Sequence, residues 1–392
     1  MERIVITGMG INCAMGINCH QTLQRLRSGK SGIGVVRYLA TEHTRFPVGE
    51  VPMSNEQLMS ATSVNEPATR TQLLGVLAVR EALQQAGWST STPLALLSGT
   101  TVGGMDRFEQ EYAHLLAGTG NAAYLHAQDC GASTRMIAAA FPGQFNMVDT
   151  PSTACSSALN AIIIGARLLQ TGRATAVVAG GSECLTRYHL NGFKSLMILD
   201  EQPCRPFDKN RAGLNLGEGA AFVMLERESD AMRRGAPVLA VLSGCGNACD
   251  AFHQTATSPD GEGAYLAMSQ ALRQASLAAS DIDYVNAHGT GTPNNDASES
   301  AALRRVYGEH LPPVSSTKAL TGHTTSASGS IEAVLCVLAM TDGFIPGQCG
   351  WQTPDPDCII PIQSNQRATL RHVMCNSFGF GGNDSSIILS RP

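Results

Sequence analysis

The sequence predicts an α/β fold assembled from two related halves, and three observations carry that prediction. Forty glycines, many grouped in short motifs between apolar runs, mark repeated tight strand-to-helix connections. Apolar runs of strand length alternate with stretches of helical periodicity, the pattern of a mixed or parallel sheet covered on both faces. Segments of the first part also recur, loosely, in the second. Residues 3–13 and 237–247 each read as a strand ending in a Gly-x-Gly turn, residues 148–155 pair with 285–292, and residues 174–181 pair with 372–379.

Taken in order, residues 1–8 (Met-Glu-Arg-Ile-Val-Ile-Thr-Gly) form a first strand and lack the long apolar core of a signal peptide. Residues 71–86 form a helix. Residues 148–155 run extended and break at once into a second helix, because Leu159, Ile162, Ile163, Ala166 and Leu169 fall at helical spacing. Ser152 and Thr153 supply its cap and turn. The charged stretch from Glu226 to Arg234 closes the first half, so the boundary is placed at 233–237, giving halves 1–236 and 237–392. Helices at 264–279 and 330–340 belong to the second half.

At 392 residues the chain is too long for one ordinary core, and 43% hydrophobic content supports a large interior. A net charge of -5 without a Lys/Arg run argues against a nucleic-acid surface. No stretch approaches the roughly 18 apolar residues of a membrane span, so membrane insertion is not expected and a cytoplasmic location is. Twelve cysteines are scattered from Cys13 to Cys375 without a Cys-x-x-Cys pair. Neither a metal site nor a disulfide framework is expected from that spacing; in a reducing compartment most would be small buried hydrophobes.

Four clusters carry chemistry. Cys155, in Thr-Ala-Cys-Ser-Ser, sits where a strand turns into a helix, and a helix N-terminus favours the thiolate that attacks carbonyl carbon. A buried, inert cysteine is the plainer alternative. His288 ends the apolar strand of Asn-Ala-His-Gly-Thr-Gly-Thr-Pro, where a lone histidine equally suits a loop hydrogen bond. Residues 315–332 bring Lys318, His323 and Glu332 into one turn and helix start, although a solvated surface position is the commoner fate of a lysine. Residues 375–384, Cys-Asn-Ser-Phe-Gly-Phe-Gly-Gly-Asn-Asp, lead a strand into a Gly-rich turn with no Lys-Ser/Thr after it, which argues against a P-loop. Together, a thiol, two histidines, a lysine and a Gly-rich backbone turn are what acyl transfer with decarboxylation needs.

In order and spacing, Thr-Ala-Cys-Ser-Ser, Asn-Ala-His-Gly-Thr-Gly-Thr-Pro, Lys-x-x-x-x-Gly-His and Asn-Ser-Phe-Gly-Phe-Gly-Gly resemble the elongating β-ketoacyl-[acyl-carrier-protein] synthases, as do residues 204–211 and 217–221. The resemblance implies a thiolase-like fold, five αβαβα layers built from two similar halves. It implies Cys155 as the nucleophile that takes an acyl chain from a carrier-protein thioester, with His288 and His323 both donating N–H to the malonyl thioester oxygen. Lys318 would tune that site, and Glu332 would position the following helix. The oxyanion hole would be the N–H groups of Cys155 and Phe380. Gly379, Phe380, Gly381 and Gly382 would form a gate facing a loop with Asp250 and His253. Thr290 and Thr292 would bind the pantetheine arm, and Phe108 would floor the acyl pocket.

No cofactor is implied beyond the carrier's own phosphopantetheine. The partner is an acyl carrier protein, and the assembly is a homodimer or, alternatively, a heterodimer with a chain-length partner. Carrier docking would fall to Arg70 or to Arg205 and Lys209. Two departures stand out, Asn383-Asp384 where the family has Thr-Asn and Ser326-Ala-Ser-Gly329 where it has Gly-Ala-Ala-Gly. A thiolase would need a catalytic Cys-x-Gly turn that Cys375 lacks. A non-catalytic chain-length subunit would lack the nucleophile, and a Cys-His hydrolase would leave the second histidine and Lys318 without a role.

Overall fold

The computed structural model describes residues 2–89 and 92–392, so Met1 of the first predicted strand lies outside the described residues. The strands are β1 (Ile4–Asn12), β2 (Leu94–Gly99), β3 (Phe145–Asp149), β4 (Ala176–Glu183), β5 (Gly219–Arg227), β6 (Ala240–Cys249), β7 (Tyr284–Asn286), β8 (Val314–Ser315), β9 (Phe344–Ile345), β10 (Gln366–Arg367), β11 (His372–Gly379) and β12 (Asn383–Ser390). All but β9 and β10 join one sheet in the order β3-β2-β4-β5-β1-β6-β12-β11-β7-β8.

Read inward from its two ends, that sheet repeats itself. The outer three strands at each end run parallel, and the next ones join antiparallel, down to the central β1–β6 pair. β1 and β6 therefore hold equivalent places, as do β4 and β11, matching two of the three segment pairs read from the sequence; the Gly-x-Gly of β1 and β6 is not the expected turn but lies inside each strand, where a Cβ would strike the backbone of the covering helix. The third pair is corrected. β7 takes the place of β2, and β8 takes the place of β3, so 148–155 and 285–292 are not equivalents. Neighbouring parallel strands that each empty into a turn carry the same local hydropathy, and only sheet order separates them.

The equivalent of the Ser157–Gln170 helix, which follows β3, is Ser328–Asp342, which follows β8. These two helices pack against each other and touch strands from both ends of the sheet. Ser328–Asp342 is buried from Ser328 to Met340, as an all-round apolar helix must be. Their backbones come close at Gly329, where a Cβ would lie 2.7 Å from Leu159 Cβ. Arg70–Gln85 covers β1, β4 and β5 on one outer face, and Glu262–Ala275 covers β6 and β12 on the other. The result is five layers with the two central helices in the middle, and Cys155 and His323 stand just before those helices. Among the described residues no helix is long and apolar enough to cross a membrane.

Candidate active site

Cys155 sits on a strained elbow. Ala154 adopts φ +53°, a left-handed conformation costly for a residue with a Cβ, so the chain turns sharply between β3 and the central helix. The helix cap is Ser156, not the predicted Ser152 or Thr153. Ser156 Oγ lies 2.8 Å from both the Thr153 carbonyl and Asn383 Oδ1, and Ser157 Oγ accepts the Thr153 N–H at 2.9 Å. A run of Ser, Thr, Cys and Ser offers several candidate caps; Ser156, which holds the place, makes no side-chain cap bond and turns its hydroxyl to Thr153 and Asn383 instead. Asn383 Oδ1 also accepts from Asn160 Nδ2 at 2.8 Å and Asn247 Nδ2 at 3.0 Å, stitching the elbow to β12 and β6 of the second half.

His323 Nε2 lies 3.1 Å from Cys155 Sγ. Its backbone is held by the opposite segment, with its N–H donating to the Asn215 carbonyl at 2.7 Å and its carbonyl accepting from Gly217 N–H at 2.9 Å. The ring of His288 stands edge-on to it, centroids 5.3 Å apart. Glu299 fixes the His288 backbone by accepting the N–H groups of His288 at 2.9 Å and Gly289 at 2.8 Å. Lys318 Nζ reaches Glu332 Oε1 at 2.5 Å, the His288 carbonyl at 2.6 Å and His288 Nδ1 at 3.2 Å. An ammonium can only donate, so Nδ1 of His288 accepts and its ring proton resides on Nε2.

The electrostatics differ from the sequence expectation at one point. Burial pushes the Cys155 thiol up to about 11; Lys318 and the backbone N–H groups of Phe380 and Cys155 itself pull it down without overcoming burial. The resting sulfur is therefore a thiol, whereas helix placement alone predicted a thiolate. Both histidines are held well below their usual range by burial first and then by the Lys318 charge, so both rings are neutral. Burial raises Glu332 to about 7, against the pull of Lys318.

The Gly-rich turn meets the elbow closely. A Cβ on Gly379 would fall 2.8 Å from the Thr153 carbonyl and 3.3 Å from Cys155 N, which explains why no larger residue stands there. Gly381 N–H donates to the Gln254 carbonyl at 2.8 Å, and Asp250 N–H to the Gly382 carbonyl at 3.2 Å, joining the turn to the facing loop. In that loop His253 Nδ1 accepts the N–H groups of Thr255 and Ala256, and Asp250 accepts those of Phe252 and Ser258. One cavity of about 270 Å³ contains Cys155, His288, His323 and Phe380 on its wall. Thr290 and Thr292, hydroxyls 2.9 Å apart, line it as well.

Family models for the beta-ketoacyl synthase N-terminal domain and C-terminal domain match residues 1–231 and 239–352. The chain belongs to the beta-ketoacyl synthase family. It is 35% identical to nodulation protein E of Rhizobium meliloti (strain 1021), with 98% of each chain covered. It is 32% identical to 3-oxoacyl-[acyl-carrier-protein] synthase 2 of Coxiella burnetii, covering 100% of this chain and 99% of that protein. Among solved structures, the ishigamide ketosynthase/chain length factor superposes with a TM-score of 0.93 at 29% identity, covering 100% of this chain and 99% of that one. The five layers are thus the thiolase-like fold of the ketosynthases.

Two residues assigned to this synthase by resemblance lie elsewhere. Phe108 does not reach the cavity; it packs edge-on against Tyr112 on the Met105–Leu116 helix, centroids 5.6 Å apart. The apolar wall is instead Phe193, Leu196, Ile198 and Leu214, which sequence reading missed because they follow no motif. Phe193 stacks on Phe380, centroids 6.0 Å apart and planes 21° apart. Arg70 is buried, with Nη2 2.6 Å from Glu218 Oε1, so it cannot meet a carrier protein. Arg205 leans toward Asp200, and Lys209 is exposed.

Proposed function

We propose that this synthase carries out decarboxylative Claisen condensation of an acyl thioester held on Cys155 with a malonyl thioester on an acyl carrier protein. The observation that carries the reading is the 3.1 Å contact of His323 Nε2 with Cys155 Sγ, inside a cavity that His288 also lines. In this reading the sulfur attacks the acyl thioester, and the tetrahedral oxygen is met by the N–H groups of Cys155 and Phe380, both of which approach the sulfur. Malonyl thioester then enters between Thr290, Thr292 and the histidines. Its oxygen is met by the His288 Nε2–H, which stabilises the enolate left when carbon dioxide departs. The C2 carbanion attacks the acyl-Cys155 carbonyl and releases a β-ketoacyl thioester. Lys318 and Glu332 hold His288 without touching substrate, and side chains and backbone supply each step, so the reading calls for no cofactor.

The partners follow from the same reading. An acyl carrier protein delivers both substrates, and the name of the Coxiella burnetii relative, a 3-oxoacyl-[acyl-carrier-protein] synthase, includes that carrier. β3 leaves the sheet with an open edge, with Met147 and Val148 more than a third exposed. A second chain placed there would continue the sheet and cover them. That chain is a second copy or, as the ishigamide pair illustrates, a chain-length partner. Twelve free cysteines and a nucleophilic thiol fit the reducing cytoplasm. Radiolabelled malonyl carrier protein tests the reaction: the synthase releases labelled carbon dioxide and forms a β-ketoacyl carrier protein, whereas free fatty acid as the sole product would mark a hydrolase.

A further inference from the structure

One residue past Asn383, β12 carries a carboxyl that the chemistry above leaves unused. Asn383 reaches toward the Cys155 elbow, so Asp384 faces the other side of the sheet, beneath the Glu262–Ala275 helix. It is 2% exposed, and its Oδ1 has no hydrogen-bond partner. A second carboxyl crowds the same space. A Cβ on Gly263 would strike Asp384 Oδ2 and lie 2.8 Å from Asp250 Cβ. Asp250 in turn presses on the Gly-rich turn, where a Cβ on Gly382 would strike its Oδ1, and the Gly379 N–H approaches the Asp384 carboxyl. Two acids therefore stand under the turn that bears Phe380.

We propose that Asp384 is a positioning residue that acts as a proton-operated latch on this turn. While neutral it lets residues 379–382 rest against the facing loop; once ionised it repels Asp250 and frees the turn, so that Phe380 swings clear for an acyl chain. The proposal rests on the condensation reading above for what enters. Only an O–H bond breaks, and its proton goes to solvent. Asp384 is fixed on β12 between β11 and β6, whereas Asp250 opens a loop in which Phe252 is 55% exposed. The loop and the turn yield, not the strand.

The charged groups that face Asp384 are Asp250 from the facing loop and Glu299 from the Pro293–Tyr307 helix. The Glu262–Ala275 helix meets it with Gly263, and Glu262 is turned to Arg305, 2.6 Å away. In the loop, His253 is held by the N–H groups of Thr255 and Ala256, and Cys249 Sγ lies 3.6 Å from the Gly381 carbonyl. Its partners across the strands, Phe378 and Ala248, carry no charge. Burial first, then the two acids, raise Asp384 to about 8. The latch therefore holds at neutral pH and releases as pH rises through that value. The family has Asn at this place, an amide with no charge to gain, so the response belongs to this chain.

Two alkylating probes of the full-length protein, read by intact mass and mapped to Cys155, test the latch. Iodoacetamide is small enough to enter past the resting turn, whereas N-octyl iodoacetamide needs the turn displaced. Both report on the same sulfur, so the ratio of their rates cancels the ionisation of Cys155 itself. In wild type the octyl-to-small ratio is expected to rise about tenfold from about pH 6.5 to about pH 9, with its midpoint near the Asp384 value of about 8. In Asp384→Asn it should stay flat, and Asp250→Asn, which removes the repelled charge, should flatten it as well. A flat ratio in wild type, or the wild-type rise in either variant, would overturn the proposal. Should a carrier-bound acyl chain fail to load onto Cys155, the condensation reading falls, while the probe ratio still decides the latch.

Discussion

Lys318 and Glu332 meet as an ion pair inside the protein, Nζ to Oε1 2.5 Å, with both side chains almost fully buried directly behind His288. Breaking one side strands the other: Lys318→Ala leaves Glu332 without its cation, and Glu332 Oε2 already has no hydrogen-bond partner. Removing one member of such a pair costs about 3–5 kcal/mol, whereas replacing both with apolar residues of similar volume is often neutral. The expected outcome is a lower urea midpoint for Lys318→Ala and a near-normal one for the double variant Lys318→Met, Glu332→Leu. Both should lose condensation, because His288 loses the donor that fixes its tautomer. A double variant with full activity would remove Lys318 and Glu332 from the account.

The high thiol pKa of Cys155 makes a second prediction. At about 11, only about one sulfur in ten thousand is ionised at pH 7. Alkylation of Cys155 by iodoacetamide, followed by intact mass, should keep accelerating with pH beyond 9. A plateau reached below pH 7 would mean a resting thiolate.

Asp384 gives a pH signature to stability. Burial, then the charges of Asp250 and Glu299, raise it from 3.8 to about 8. For a carboxyl whose folded value is raised, the stabilising contribution is full below the unfolded value and is lost as pH rises through the folded one. Wild type should therefore lose stability between about pH 4 and pH 8. The advantage of Asp384→Asn over wild type should widen by more than about 1 kcal/mol from pH 5 to pH 8 and level off above it. Parallel urea curves for the two proteins across that range would refute this.

Phe193, stacked on Phe380, lines a cavity of about 270 Å³, just under the roughly 300–1,000 Å³ of ordinary ligand pockets. Phe193→Ala should shift the primer preference toward longer acyl chains, while Phe108→Ala should leave it unchanged. Product profiles with primers of graded length measure both. A shift confined to Phe108→Ala would return the pocket floor to the residue that resemblance first indicated.

How much of this was legible in the sequence depends on how local each signal is. Cys155, His288, Lys318 and His323 stand at the ends of apolar strands or at helix starts, where periodicity stops and small residues crowd, and those breaks are visible one segment at a time. The Asn383 network was not legible, because its partners come from two distant segments, Ser156 and Asn160 at the start of one central helix and Asn247 on β6, brought to β12 only by the fold. Arg70 was misread for the same reason, since nothing near it announces Glu218, a partner 148 residues away. Asp384 was visible only as a departure from a pattern; its crowding against Asp250 needed the loop after β6 to be seen in three dimensions.

The central claim is that Cys155 carries the acyl chain, and intact-protein mass after incubation with an acyl carrier protein thioester tests it most directly. The account predicts one acyl adduct, mapped to Cys155 and absent from Cys155→Ser. An adduct on another residue, or an unmodified wild-type protein, would contradict it.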